Sequence, residues 1–201
     1  MLVGIVHSGI GTTASMLNMF RHIGCQAELA VTPDGLDRYS HLVLPGVGHF
    51  SEGSGRLASG GWREPIIEFA RTGKPLLGVC LGMQLLGTGS DEGPGEGLGL
   101  LPIRLQKLES KPGTPVPHMG WNTVATVRAP SQLLDDDEDA RYYFVHSFAA
   151  SATSPEAQGI TQYGVPFASV VGHDNVYGVQ FHPEKSHRFG MSLLRNFAKI
   201  G

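Results

Sequence analysis

The apolar run Pro75-Leu76-Leu77-Gly78-Val79 ends in Gly78-Val79-Cys80-Leu81-Gly82, and this join constrains the fold more than any other part of the chain. It reads as a buried strand that turns sharply into a helix beginning Leu81-Gly82-Met83-Gln84-Leu85-Leu86. A side chain standing proud of a sheet at such a turn strains its own backbone and crowds its neighbours. Glycine two residues before and two after relieves that crowding, as in the serine frame G-x-S-x-G. Here the frame carries a thiol. Cys80 at a helix N-terminus meets free amides and a dipole that favour thiolate and could hold an oxyanion. A buried core cysteine is the competing reading of these five residues alone.

The rest of the first half repeats the strand-helix alternation. Leu2 to Val6 reads as a short buried strand. Met16, Leu17, Met19, Phe20 and Ile23 then follow at helical spacing, with Gly24 as the helix stop. Gln26 to Val31 and His41 to Leu44 are further strands, the latter ending at Pro45; Trp62 to Thr72 is a helix with Pro65 in its first turn and Gly73 after it. Near-continuous apolar strands separated by helices predict a parallel sheet covered on both faces. From Leu100 onward strand-like runs dominate: 103–108, 123–128, 142–148, 167–171 and 176–181. The last two are joined by the turn-forming Gly172-His173-Asp174-Asn175. A terminal helix runs from Ser186 or His187 to Lys199. The expected fold is therefore α/β: one domain over residues 1–201, an open mixed sheet with a mainly parallel core flanked by helices, extended by antiparallel strands.

A chain of 201 residues can bury a core without metal or disulfide support. Its two cysteines, Cys25 and Cys80, form neither a disulfide framework nor a C-x-x-C pair, which fits a reducing cytoplasm. No stretch approaches a membrane span, and Met1 leads straight into Leu2 to Val6 without a basic leader, so a soluble cytoplasmic protein is expected. With 15 Lys and Arg against 18 Asp and Glu, no net basic field invites nucleic acid. The acidic run Asp135 to Asp139 lacks calcium-loop spacing, and the nine histidines show no H-E-x-x-H or repeated ligand spacing. Neither a metal nor an organic cofactor is expected.

A nucleophilic thiol needs a base, and the base needs an orienting group. Gln180-Phe181-His182-Pro183-Glu184 offers both. On an extended chain His182 and Glu184 face the same side, so the imidazole could take the thiol proton while the carboxylate fixes its tautomer. A structural histidine beside a surface glutamate is the plainer alternative. For the oxyanion, one donor is expected in the Leu81 N–H. The other is expected in the loop Pro45-Gly46-Val47-Gly48-His49-Phe50, at Val47 and Gly48, which follows a strand and so lies where open α/β sheets bind ligands. This loop lacks both phosphate-binding glycine patterns.

Together these residues resemble the class I glutamine amidotransferases. The likeness extends over nearly the whole chain through Pro45 to Phe50, Gly78 to Leu86, Glu92 to Pro102, Val116-Pro117-His118-Met119-Gly120-Trp121-Asn122, Tyr143 to Phe148 and Gly178 to Ser186. The P-H-M-G-W-N stretch points to the branch that serves histidine biosynthesis. The resemblance implies hydrolysis of L-glutamine to glutamate and ammonia through a thioester on Cys80, with His182 and Glu184 completing a triad. It implies that Gly48, Leu81, Gln84, Ser147 and Phe148 hold the substrate or its oxyanion. It also implies a (β/α)8 cyclase or synthase subunit as heterodimer partner, with Trp121 on the shared surface. The chain departs from the family at His7-Ser8-Gly9-Ile10-Gly11-Thr12, where an Asp-Tyr-Gly-x-Gly-Asn sequence is usual. Because this loop lies outside the triad, the chemistry is expected to survive. A different acceptor, such as a surface-polysaccharide sugar, and a cysteine peptidase or γ-glutamyl hydrolase are the alternatives.

Overall fold

The structure, a computed structural model, describes every residue except 12, 128–130, 136 and 138. The first half alternates as the hydrophobic pattern requires. Strand β1 (Val3–Val6) leads to helix α1 (Thr13–His22), then β2 (Ala27–Ala30), β3 (His41–Gly46), α2 (Phe50–Ser59), α3 (Arg63–Arg71), β4 (Leu76–Cys80) and the short α4 (Leu81–Leu86). The second half contributes β5 (Gly89–Ser90), β6 (Arg104–Lys107), β7 (His118–Thr123), β8 (Ala125–Thr126), β9 (Arg141–His146), β10 (Phe148–Ser151), β11 (Ala157–Tyr163), β12 (Val165–His173), β13 (Val176–Val179) and α5 (His187–Phe197).

The main sheet runs β2-β1-β3-β4-β13-β12-β10-β6-β5, with β11 and β8 branching from β12. Strands β2, β1, β3, β4 and β13 are mutually parallel; β12 runs antiparallel to β13, and β10 antiparallel to β12. The mixed α/β sheet therefore matches the sequence expectation. Alternating residues feed two apolar layers. Leu42, Leu44 and Leu76 pack with Phe50, Leu57, Ile66 and Met83 on one face. Val43, Leu77 and Val79 pack with Met16, Phe20, Leu194 and Phe197 on the other. Burial on both faces is why these strands read as unbroken apolar runs. Helix α1 has Arg21 and His22 as basic groups in its last turn, and Gly24, with φ of 81°, turns the chain just past its end.

Several features of the fold were not evident from the chain. Helix α2 contains Gly53, Gly55 and three serines, a poor helical composition. It forms because His49 caps it, Glu92 Oε2 accepts the Phe50 N–H at 2.7 Å, and Gly53 lets it close onto Leu81 and Leu85. Strand β7 pairs along its full length with β9 in a separate two-stranded ribbon. The expected run 142–148 is two strands, β9 and β10, which join different sheets on either side of Ser147. Strand β11, also unexpected, pairs with β12 through two register shifts.

The strand expected over 123–128 is reduced to β8, and its end at Arg128 lies outside the described residues. Within the acidic run, Asp136 and Glu138 also lie outside them; Asp135 accepts hydrogen bonds from Ser192 and Asn196 of α5. Among the described residues no helix is long and apolar enough to cross a membrane.

Candidate active site

Three adjacent parallel strands deliver the site. Register pairs Gly46 with Cys80 across β3 and β4, and Val79 with Val179 across β4 and β13. The glycine-containing loop after β3, the thiol and the segment after β13 therefore leave the sheet side by side at its C-terminal edge, where open α/β sheets bind ligands. Cys80 has φ of 54° and ψ of −112°, a conformation costly for a side chain and sustained by the packing around it. The flanking glycines act as the sequence frame requires. A Cβ on Gly82 would lie 1.8 Å from the Leu44 carbonyl oxygen, and one on Gly78 would lie 2.7 Å from three atoms of α4.

His182 Nδ1 donates to Glu184 Oε1 at 2.8 Å, and both side chains are buried, 3% and 7% exposed. The route to this pairing differs from the extended segment expected. His182 is extended and bridges to Tyr143, but Pro183–Lys185 is a 3-10 turn, stabilised by the Lys185 N–H to the His182 carbonyl. The turn, entered at Pro183, swings Glu184 back beside the ring. Burial alone would lower the His182 pKa, but the adjacent Cys80 sulfur and Glu184 carboxylate outweigh it and push it up to about 10.

A cleft of about 360 Å³ opens onto Cys80 and His182. Val47, Gly48, Leu81 and Gln84 line it on one side, Ser147 and Phe148 on another. Glu184 is set behind His182 rather than on the cleft wall. The Val47 N–H, expected to face an oxyanion, is instead donated to the Ile10 carbonyl at 2.6 Å. In this arrangement Gly48, with φ of 103°, and Leu81, first residue of α4, remain the loop and helix positions beside the thiol.

Gln84 Nε2 donates to the Phe148 carbonyl at 3.3 Å and to Gln180 Oε1 at 3.1 Å. Both amide hydrogens are thereby engaged, so toward a ligand Gln84 offers its oxygen.

The cleft also takes residues that sequence reasoning missed: Glu92, Val145, His146 and Lys185. His146 is a second histidine within the site, yet both its nitrogens are occupied. Nδ1 meets the Phe148 carbonyl at 3.0 Å, and Nε2 meets His118 Nδ1 at 3.0 Å. Burial lowers the His146 pKa to about 3, with smaller contributions from His118 and His182, and burial lowers that of His118 to about 4. Both rings stay neutral where His182 is protonated. His118 is the histidine of P-H-M-G-W-N, and Asn122 of the same stretch approaches its Nε2 at 3.3 Å. The motif thus reaches the cleft wall from behind.

Residues 5–200 match the family described as glutamine amidotransferase class-I, and the chain belongs to that family. The imidazole glycerol phosphate synthase subunit HisH of Desulfitobacterium hafniense strain DCB-2 is 42% identical over 98% of this chain and 94% of its own. The HisH subunit of Wolinella succinogenes is 44% identical, with both chains wholly covered. That of Methanothermobacter thermautotrophicus is 42% identical over 99% of this chain and 98% of its own. Among solved structures, PurLQS from Thermotoga maritima superposes with a TM-score of 0.75 at 20% identity, covering 98% of this chain and 97% of that one. A crystal structure of a glutamine amidotransferase gives 0.74 at 16% identity, over 98% and 97% of the two chains. At those identities the structures establish the fold.

Proposed function

We propose that this chain is the glutaminase subunit of an imidazole glycerol phosphate synthase, hydrolysing L-glutamine to glutamate and ammonia for a (β/α)8 partner subunit in histidine biosynthesis. The observation that carries the reading is the strained Cys80 elbow opening onto the same cleft as His182, whose ring is oriented by Glu184 at 2.8 Å.

The chemistry follows from the placement. Cys80 Sγ attacks the side-chain amide carbon of glutamine, and the developing oxyanion is held by the Leu81 N–H together with the Gly48 backbone. His182, carrying the proton, gives it to the departing nitrogen, so that ammonia leaves and a thioester to Cys80 remains. His182, now neutral, takes a proton from water, which attacks the thioester; glutamate departs, and the Cys80 thiolate is restored beside protonated His182. Glu184 holds the ring tautomer in both halves. The cleft's Glu92 carboxylate and the Gln84 oxygen suit the α-ammonium group of the substrate, while Ser147 and Phe148 supply backbone on the facing wall. No step requires a cofactor.

Residues 1–201 act as one glutaminase domain in this reading. Met119 and Trp121, 62% and 46% exposed, lie on β7 and offer the heterodimer an apolar contact. The relatives' common name favours this synthase over a different acceptor despite the altered 7–12 loop. Free Cys25 and Cys80 suit a cytoplasmic setting. The test is glutamine-dependent formation of the synthase product by the assembled complex. Cys80→Ala is expected to abolish it while activity with free ammonia persists; undiminished glutamine use would sink the proposal.

A further inference from the structure

The register that pairs Val79 with Val179 makes Gln180 the next lateral neighbour of Cys80. Gln180 is fully buried, and its Nε2 lies 3.8 Å from Cys80 Sγ, within range of an N–H···S contact. Besides the His182 ring, the sulfur also meets the Val145 carbonyl at 3.9 Å, an acceptor. An acceptor favours the thiol, whereas an N–H donor favours the thiolate.

The orientation of the Gln180 amide is fixed by a chain of partners that ends on an atom of unambiguous identity. The Phe148 carbonyl can only accept, so Gln84 must present its NH₂ there, at 3.3 Å. The same NH₂ meets Gln180 at 3.1 Å, which requires the Gln180 oxygen to face Gln84. The Gln180 nitrogen is thereby turned toward the sulfur. His146 Nδ1 also binds the Phe148 carbonyl, at 3.0 Å, holding the end of the chain in place.

We propose that Gln180 is a further residue of the glutaminase machinery, positioning the Cys80 sulfur and stabilising its thiolate from a buried position off the cleft wall, with Gln84 acting through it. This rests on the assignment of Cys80 as nucleophile. It gives Gln84 a second role: besides facing the substrate, it sets the donor that faces the thiol. The titratable or charged groups on the cleft side, His182, His146, Glu92 and Lys185, are unchanged by substitutions at Gln180, so a shift in thiol reactivity can be read against them.

The experiment is the pH profile of Cys80 alkylation by iodoacetamide in the full-length chain, with the Cys80 and Cys25 peptides quantified separately by mass spectrometry. Gln180→Met keeps length and removes the donor; Gln180→Glu keeps shape and turns an acceptor toward the sulfur. The Met variant is expected to raise the Cys80 midpoint by about one pH unit and to slow labelling at neutral pH about tenfold. The Glu variant is expected to raise it further, and Cys25 labelling to stay constant. In the complex with the synthase subunit, kcat for glutamine is expected to fall about tenfold with KM changed less than about twofold. Wild-type Cys80 profiles in both folded variants would overturn the proposal.

Should neither variant fold, NMR on chains that keep Gln180 answers. The Gln180 side-chain amide resonance is expected to move on Cys80→Ala, and an unmoved resonance would equally overturn the proposal. Cys80→Ala that still consumes glutamine overturns the nucleophile assignment itself. An inactive Cys80→Ala with unaltered Gln180 variants overturns only the role of Gln180.

Discussion

Val47 donates its backbone N–H to the carbonyl of Ile10 at 2.6 Å, which ties the loop after β1 to the loop that follows β3 beside the thiol. The two loops also touch at Gly11, where an added Cβ would meet the Pro45 carbonyl oxygen at 2.9 Å. The altered His7 to Thr12 segment is thus outside the triad but not independent of it, Thr12 itself lying outside the described residues. Gly11→Ala pushes on Pro45 and displaces Val47 and Gly48. Its expected effect in the assembled complex is a fall in kcat for glutamine of about tenfold, since a lost oxyanion donor costs that or more. Labelling of Cys80 by iodoacetamide, which needs no oxyanion donor, is expected to stay near the wild-type rate. Steady-state kinetics and labelling on the same preparations check the pair.

His182 carries its proton to about pH 10 because Cys80 and Glu184 outweigh its burial. A histidine whose folded pKa is raised contributes stability fully present below its unfolded value near 6.5 and lost as pH rises through the folded value. Glu184→Gln removes one of the two supports, so the loss is expected to begin at lower pH. Thermal unfolding followed from about pH 7 to about pH 10 checks this, with the variant falling earlier. Glutamine turnover is expected to drop about 10²-fold as the ring loses its orienting charge.

The opposite sign applies to His118 and His146, held neutral by burial with pKa values of about 4 and about 3. The unfolded chain takes up these protons near pH 6.5, so their contribution is present above that value and is lost as pH falls toward 4 and below. The melting temperature is expected to drop on acidification from about pH 6.5. In the His118→Leu/His146→Leu double variant, compared by calorimetry, the drop is expected to be shallower.

The Cys80 elbow was legible because its requirements are local. Gly78 and Gly82 report a backbone that must pass close to α4 and Leu44, and the apolar run before them reports a strand buried on two faces. The pairing of His182 with Glu184 was legible, but the geometry inferred for it differs: Glu184 reaches His182 through a 3-10 turn, not along an extended segment. What stayed hidden depends on contacts across the chain. Helix α2 has weak intrinsic propensity and is held by Glu92, 42 residues away from Phe50. His118 and His146 meet only because β7 pairs with β9. Gln180 sat in view beside His182, yet nothing in its own neighbourhood says that the register of β4 and β13 turns it toward the thiol.

The exposed part of P-H-M-G-W-N yields a prediction about assembly. Trp121 remains 46% exposed while its ring stacks on His187 at 5.4 Å with planes 4° apart. That stacking holds a large apolar surface in one orientation before any partner arrives, which lowers the ordering cost of binding. Trp121→Ala removes the stack on His187 but opens no cavity in the core, so the monomer's melting temperature is expected to fall by only a few degrees. Association with the synthase subunit is expected to weaken by about 2 kcal/mol, roughly thirtyfold, as for a central aromatic contact. Titration calorimetry with the purified synthase subunit measures this directly. An unchanged dissociation constant would remove β7 from the interface, whereas a melting temperature lowered by many degrees would make Trp121 part of the chain's own packing.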